Sequence, residues 1–374
     1  MDDSKKKRLP PDGYYLQTGE WVKESAAGAS PERGLLIPLY EDETVLLAEP
    51  EGIDPPQWQG EFYVRQAFVA IVPNGRVWGL NGSVISPDNK LLWDVSDARP
   101  PESNEVFHVV ELPPVVRSEE TVATLAWISY NNYAHWLFDI LPRLHLLQMS
   151  GIAIDKYIVN GGLAHPYQLE TLRMLGIPES QIVFTSDTFH LEAKKLVVAS
   201  IPNRLGYPGW VFDFLRRSFR DSQNIAPMAG YERIYVSRED SAYRHVSNED
   251  EVMQALGPLG FRKVVLGPLS FMEKMRLFAS AQVIVAPLGA GLANVVFCRP
   301  GTKVMEFSNR SFVSTDFWKF SQYADLKYYH MICEEENAQL PDLPKVHLDW
   351  HIWTRNIRVD PAKLLRLLAH AGIR

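Results

Sequence analysis

The sequence predicts an α/β protein, with two Rossmann-like domains facing a cleft behind a β-rich N-terminal segment. Three observations carry this prediction. After about residue 120, short apolar runs alternate with helical patterns, the order that builds parallel sheets with crossover helices. The alternation comes in two blocks that meet near residue 222. Before residue 115 no long helical pattern occurs, and Gly, Pro and Asn punctuate short β-branched and aromatic runs. The expected division is a β-rich segment over 1–115, a first Rossmann-like domain over 116–222 and a second over 223–374.

In the leader, 35–47 and 62–72 read as strands, and 77–79 and 91–93 flank a Ser86-Pro87-Asp88-Asn89 turn of hairpin chemistry. In the first block, 121–129 is an apolar strand. A long helix follows over 133–149, with Trp136, Ile140, Leu144 and Leu147 near the 3.6 period. Pro142 lies inside that helix and should distort it. Next come a strand at 156–159, a helix at 167–175, strands at 181–185 and 195–199, and a helix at 209–221. The second block alternates strands at 232–237, 261–266, 283–286 and 303–307 with helices at 248–256, 270–279 and 290–297. Residues 361–371 form a terminal amphipathic helix expected to pack back across the domains.

Composition narrows the function. The 374 residues are 46% hydrophobic and 22% charged, which supports packed cores and excludes disorder for the bulk of the chain. Lys plus Arg number 38 against 45 Asp plus Glu, a net charge of −7, which disfavours a general nucleic-acid binder. It still permits a small anion held by one or two placed arginines. Cys298 and Cys333, the two cysteines present, read as free thiols in a reducing compartment, hence a cytoplasmic setting. No Cys/His zinc spacing and no run of about 18 apolar residues occurs. The run Lys5-Lys6-Lys7-Arg8 has no apolar segment after it, so it reads as a solvated tail rather than a signal peptide. A weak touch on anionic lipid is its lesser reading.

Three segments can carry chemistry. In the first, a buried strand runs into Gly289-Ala290-Gly291-Leu292-Ala293-Asn294 and a helix. That pattern lets backbone approach a pyrophosphate at a helix start, or simply permits a tight turn. The third glycine of a dinucleotide fingerprint would fall on Asn294, and the unit comes third in its block, so nicotinamide binding is disfavoured. Glu306, at the end of the next strand, suits ribose hydroxyls. In the second segment, a strand ends at Ser237 and delivers Arg238 and then Arg244 to the carboxyl edge of the sheet. These can clamp phosphate, or they can pair with Glu239, Asp240 and Glu249. In the third, Asn131 and Asn132 are helix N-cap residues, and His135 and Asp139 share a helical face. Either His135 is a base oriented by Asp139, or Asp139 is the base and His135 positions the acceptor, or the pair is structural. No Asp-x-Asp, no Gly-x-Ser-x-Gly and no P-loop sequence is present.

Together, Asn132-Tyr133-x-His135-Trp136-x-x-Asp139-x-x-Pro142, then Arg233-x-x-x-Ser237-Arg238 with Asn248-Glu249, then Gly289-Ala290-Gly291-Leu292-x-Asn294 with Pro300-Gly301-Thr302 and Glu306, resemble glycosyltransferase family 61. The resemblance covers about 120–330 and is in keeping with bacterial members that build capsular and other surface polysaccharides. It implies an inverting, metal-independent transferase of the GT-B type, moving a sugar from a nucleotide-diphosphate sugar to a hydroxyl of a glycan or lipid-linked glycan. It implies that Arg238 and Arg244 contact the diphosphate, joined by the N–H groups of the Gly291–Leu292 turn, with Ser237, Gly289 and Ala290 in the same donor site. Asn294 belongs to the same donor motif, and Glu306 would contact the ribose or hold the loop near it. His135 and Asp139 would face the acceptor hydroxyl, with Asn132, Tyr133 and Trp136 on the acceptor side. No divalent metal is expected. Leu288 stands where the family often has His, so no contact made by that His is carried over. The competing functions are a non-catalytic glycan-binding or assembly member of the same fold and an NAD-dependent oxidoreductase. The helix at 209–221 reads as an interdomain helix with a solvated basic edge. Its alternative is an approach surface for a lipid-linked acceptor at a membrane. Trp350 and Trp353 read as core before sugar platforms.

Overall fold

Contacts divide the chain into two units, Met1–Thr44 with Tyr63–Val211 and Val45–Phe62 with Phe212–Arg374. The computed structural model describes residues 9–27, 33–53, 58, 60–97, 99–163, 165–202, 206–222, 225–336 and 353–374. The basic run at 5–8 and Trp350 lie outside the described residues.

The first unit is built on one nine-stranded sheet. Its strands are β1 (Tyr14–Tyr15), β2 (Leu35–Tyr40), β3 (Ala67–Trp78), β4 (Ser83–Ile85), β5 (Leu91–Leu92), β6 (Val116–Thr124), β7 (Lys156–Val159), β8 (Ile182–Phe184) and β9 (His190–Ala199). The order is β1-β5-β4-β3-β9-β6-β7-β8, with β2 on β3. β9, β6, β7 and β8 are parallel, whereas β9 and β3 are antiparallel along nearly their whole length. The expected break at 115 is therefore bridged by hydrogen bonds. The β-rich leader and the first α/β block share a sheet and a core in which Ala70, Val72, Val122, Leu196 and Val198 meet. The segment 45–62, read with the leader, belongs to the second unit, and the boundary expected near 222 falls at 211/212 inside a helix.

The second unit carries a sheet of β10 (Arg233–Ser237), β11 (Arg262–Val265), β12 (Val283–Pro287), β13 (Lys303–Asn309), β14 (Lys327–Glu336) and β15 (Asn356–Arg358). Its order is β11-β10-β12-β13-β14-β15, and the first five are parallel. This 2-1-3-4-5 arrangement is that of a doubly wound sheet, whose ligands lie outside the carboxyl ends of the strands where the order reverses, here between β10 and β12. The short strand Glu51–Ile53 pairs in parallel with β14. The terminal helix Pro361–His370 is capped by Asp360, whose side chain accepts from Ala362 N at 2.8 Å. Its Leu364, Leu367 and Leu368 enter the core of this same unit with Tyr235, Met305 and Phe307. Each such leucine contributes about 1.5–3 kcal/mol of burial.

Candidate active site

In the first unit, the polar cluster follows the carboxyl ends of the neighbouring strands β6 and β9. The strand expected over 121–129 ends at Thr124, and the loop after it leads into a continuous helical run. Asn132 caps that run, its side chain accepting from Ala134 N at 2.9 Å and His135 N at 3.3 Å. The run begins as one turn, Tyr133–His135, widens to a π-helix over Trp136–Ile140, and continues as α-helix over Leu141–Met149. The cause is Pro142, which has no N–H for the Phe138 carbonyl and whose ring presses on it. The chain opens by one residue, and Leu141 N–H donates to Trp136 O instead.

This wider turn carries Asp139, whose Oδ2 lies 2.7 Å from His135 Nδ1 and accepts from Tyr207 Oη at 3.2 Å. Asp139 is 1% exposed, whereas the His135 side chain is 36% exposed with its ring edge-on to Trp127. One turn further, Arg143 is fully buried and donates to Thr124 O at 2.6 Å and Leu125 O at 3.2 Å. Burial pushes Arg143 down to about 10, with the nearby Asp139 charge opposing the shift. His135, Asp139 and Arg143 thus form an i, i+4, i+8 series running from solvent into the core. Sequence reading missed Arg143, although its spacing from Asp139 was the available signal. Of the residues expected on the acceptor side, Tyr133 packs edge-on to Tyr167, and Asn132 is the helix cap. Trp136 is a correction. It is fully buried, and its Nε1 donates to Thr171 Oγ1 at 2.9 Å, so it serves the core.

In the second unit, Arg238 follows β10 and meets Gly289, which follows β12, at the point where the strand order reverses. A Cβ on Gly289 would overlap the Arg238 guanidinium, so glycine is required for this approach and not for its backbone angles. Arg238 donates to Ser241 Oγ at 2.6 Å and to Tyr243 O at 3.1 Å. Arg244 takes left-handed backbone, φ 58°, and lies over the rings of Tyr243 and Phe312. The Nε atoms of both arginines are buried without a hydrogen-bond partner. The acids expected to neutralise them are engaged elsewhere. Glu239 and Glu249 both pair with Lys263, and Asp240 accepts from Gly267 N at 2.7 Å. Among the described residues neither arginine has a carboxylate partner within ion-pair distance. Burial, then the charge of Arg244, pushes Arg238 down to about 10, still a cation at neutral pH.

Glu306 lies inside β13, fully buried, with Oε2 accepting from Tyr328 Oη at 2.7 Å, which argues against direct contact with a ribose and leaves the expected alternative of holding the nearby loop. Burial lifts its carboxyl to about 8, against the Tyr328 hydrogen bond and the charge of Arg244. Residues 290–297 are a 3-10 helix rather than an α-helix. Leu292 N–H already donates to Gly289 O at 3.0 Å, which leaves Ala290 and Gly291 as the amides without an acceptor in the helix. Asn294 is buried and donates to Gly291 O at 2.9 Å, fastening the turn. Ser237 is buried and accepts from Glu239 N, shaping the loop. The helix over 209–221 has buried Trp210, Phe212, Phe214 and Phe219, and Arg216 and Arg220 donate to Cys298 O. Its apolar face is therefore not presented to solvent, which removes the feature behind the membrane-approach reading. Cys298 and Cys333 are free and buried. No group of acids, histidines and cysteines suited to a metal occurs among the described residues.

The Glycosyltransferase 61 family model matches residues 133–305. Over this segment, somewhat under half of the chain, the sequence is similar to glycosyltransferase family 61. The matched segment begins at the helix that carries His135 and Asp139, and it includes Arg238, Arg244 and the Gly289–Asn294 turn. No curated protein matches the chain. Among solved structures, the chain is similar to the bacterial iron-containing dodecameric glycosyltransferase TibC from enterotoxigenic E. coli H10407. The identity is 11% over 81% of this chain and 82% of that one, at a TM-score of 0.30, too weak to bear on fold or function. The chain is a transferase of the glycosyltransferase class.

Proposed function

We propose that this glycosyltransferase is an inverting, metal-independent enzyme that moves a sugar from a nucleotide-diphosphate sugar to a glycan hydroxyl. The observation that supports this best is the Arg238–Arg244 pair, two partly buried guanidiniums with orphaned Nε atoms and no carboxylate partner among the described residues. A diphosphate supplies the missing charge and the bidentate acceptors. The same cations, with the Ala290 and Gly291 amides at the helix start, stabilise the charge that grows on the leaving diphosphate, work that other transferases give to a metal. On the acceptor side we assign the base to His135. Asp139 is too buried to touch an acceptor. It receives the Nδ1 hydrogen and leaves Nε2 as the basic nitrogen. Donor on the second unit and acceptor on the first is the GT-B division of labour, proposed here from the chemistry of each unit taken alone.

Turnover of a panel of nucleotide sugars, with chelator present and a polysaccharide acceptor extract, tests this reading. Wild type should release nucleoside diphosphate, and His135→Ala should lower kcat by about 100-fold or more with donor KM little changed. Full activity in His135→Ala would remove the base assignment. Loss on adding chelator would remove the metal-independent mechanism.

A further inference from the structure

Trp353 is the one tryptophan among the described residues that is exposed, at 41%. Its ring packs on Phe312 with centroids 6.1 Å apart and planes 38° apart. Arg244 also packs on Phe312, its guanidinium 5.2 Å from the ring centre. Both aromatics are held by short links to the donor-side framework. Phe312 N–H donates to Asn309 Oδ1, at the carboxyl end of β13, at 2.6 Å. Arg244 N–H donates to the carbonyl of Thr354, the residue after Trp353, at 3.3 Å. A narrow hollow opens here, lined by Arg244, Leu288, Asn309, Phe312 and Arg355. An exposed indole beside a phenyl ring and a cation, at the carboxyl edge of a doubly wound sheet, is a stacking surface for a flat ring.

We propose that Phe312 and Trp353 form the ledge on which the aromatic base of the donor nucleotide stacks. This rests on the reading that Arg238 and Arg244 hold the donor diphosphate. Arg244 then has two tasks, one edge toward phosphate and one face against the ledge, so that base and diphosphate are read by one connected set of side chains. The ledge discriminates by ring size and stacking strength. The diphosphate site is indifferent to the base.

Calorimetry with inorganic pyrophosphate and with the diphosphates of uridine, cytidine, guanosine, adenosine and thymidine separates the two parts. In wild type at least one nucleoside diphosphate should bind more tightly than pyrophosphate. Trp353→Ala should weaken that nucleotide by about 5- to 150-fold, the range for losing one base-on-aromatic stack. Pyrophosphate should bind Trp353→Ala as it binds wild type, and Trp353→Phe should restore most of the nucleotide affinity. Unchanged nucleotide affinity in both Trp353→Ala and Phe312→Ala would overturn the ledge while leaving the arginine site standing. A parallel loss of pyrophosphate in Trp353→Ala would also overturn it, since the ring would then only be supporting Arg244. Weakening confined to the intact nucleotide sugar would assign the ledge to the sugar and overturn the base assignment. Failure of wild type to bind any of these ligands would overturn the ledge together with the donor reading.

Discussion

A guanidinium that loses water without gaining a carboxylate costs several kcal/mol, and Arg238 and Arg244 both stand in that position. What makes it tolerable is local. Backbone and hydroxyl oxygens hold Arg238, aromatic faces hold Arg244, and Gly289 leaves room for the Arg238 guanidinium. Gly289→Ala should therefore act through Arg238. Diphosphate affinity should drop by about 10-fold or more, because a methyl group displaces one of the two charges, while Tm changes little. Calorimetry and a melting curve on the same variant check both halves. Glu306 sets a pH dependence of its own. Its folded pKa of about 8 lies above the ordinary carboxylate value of 4.5, so the native state keeps a proton that the unfolded state releases. Stability from this group is complete below the ordinary value and is lost as pH rises through 8. Glu306→Gln should match wild type near about pH 4 and exceed its Tm by a few degrees near about pH 9, as read by calorimetric melting. Equal Tm curves across that range would contradict the assignment. The sequence offered Arg238 and Arg244 as candidate phosphate ligands, but the fate of the neighbouring acids was not legible. That Glu239 and Glu249 turn to Lys263, and that Glu306 is buried under Tyr328, depends on side-chain packing across strands.

At the scale of the element, one proline decides the shape of the helical run over 133–149. The period of Trp136, Ile140 and Leu144 announced the helix, and Pro142 announced a distortion. The form it takes, a π turn that ends on a Leu141 to Trp136 hydrogen bond, follows from the missing N–H and is visible in the structure alone. That turn sets the angle at which Asp139 meets His135. Pro142→Ala returns the N–H and lets the run close with ordinary bonds. The variant should melt higher than wild type, since alanine in a helix interior is favoured over proline by about 3 kcal/mol. Its kcat should nevertheless fall by about 10-fold as Asp139 rotates away from Nδ1. A variant that is both more stable and fully active would show that the π turn has no role in the site. The same limit on sequence reading appears at 290–297. Strand, glycine turn and helix were legible there, but the 3-10 winding and the loss of the Leu292 amide to Gly289 O were not.

At the scale of the molecule, alternation of strand and helix revealed the parallel sheets, because each crossover is local in sequence. The fate of the leader was hidden for the opposite reason. Its long strand β3 pairs with β9, more than a hundred residues away, and no local pattern encodes that pairing. The 2-1-3-4-5 order of the second sheet likewise emerges only from the pairing, yet it is what brings Arg238 and Gly289 to one point. The net charge of −7 argues against a polyanion partner and is compatible with a small one, since two partly buried cations outweigh distant surface acids over the range of a few ångströms. The claim on which the account rests is that these two cations hold a nucleoside diphosphate without a metal. The direct measurement is titration calorimetry of the nucleoside diphosphate panel in excess chelator, on wild type and on Arg238→Met/Arg244→Met. Wild type should bind at least one diphosphate saturably, and the double variant should lose that binding by about 100-fold or more. Equal binding by both proteins, or none by wild type, would contradict it.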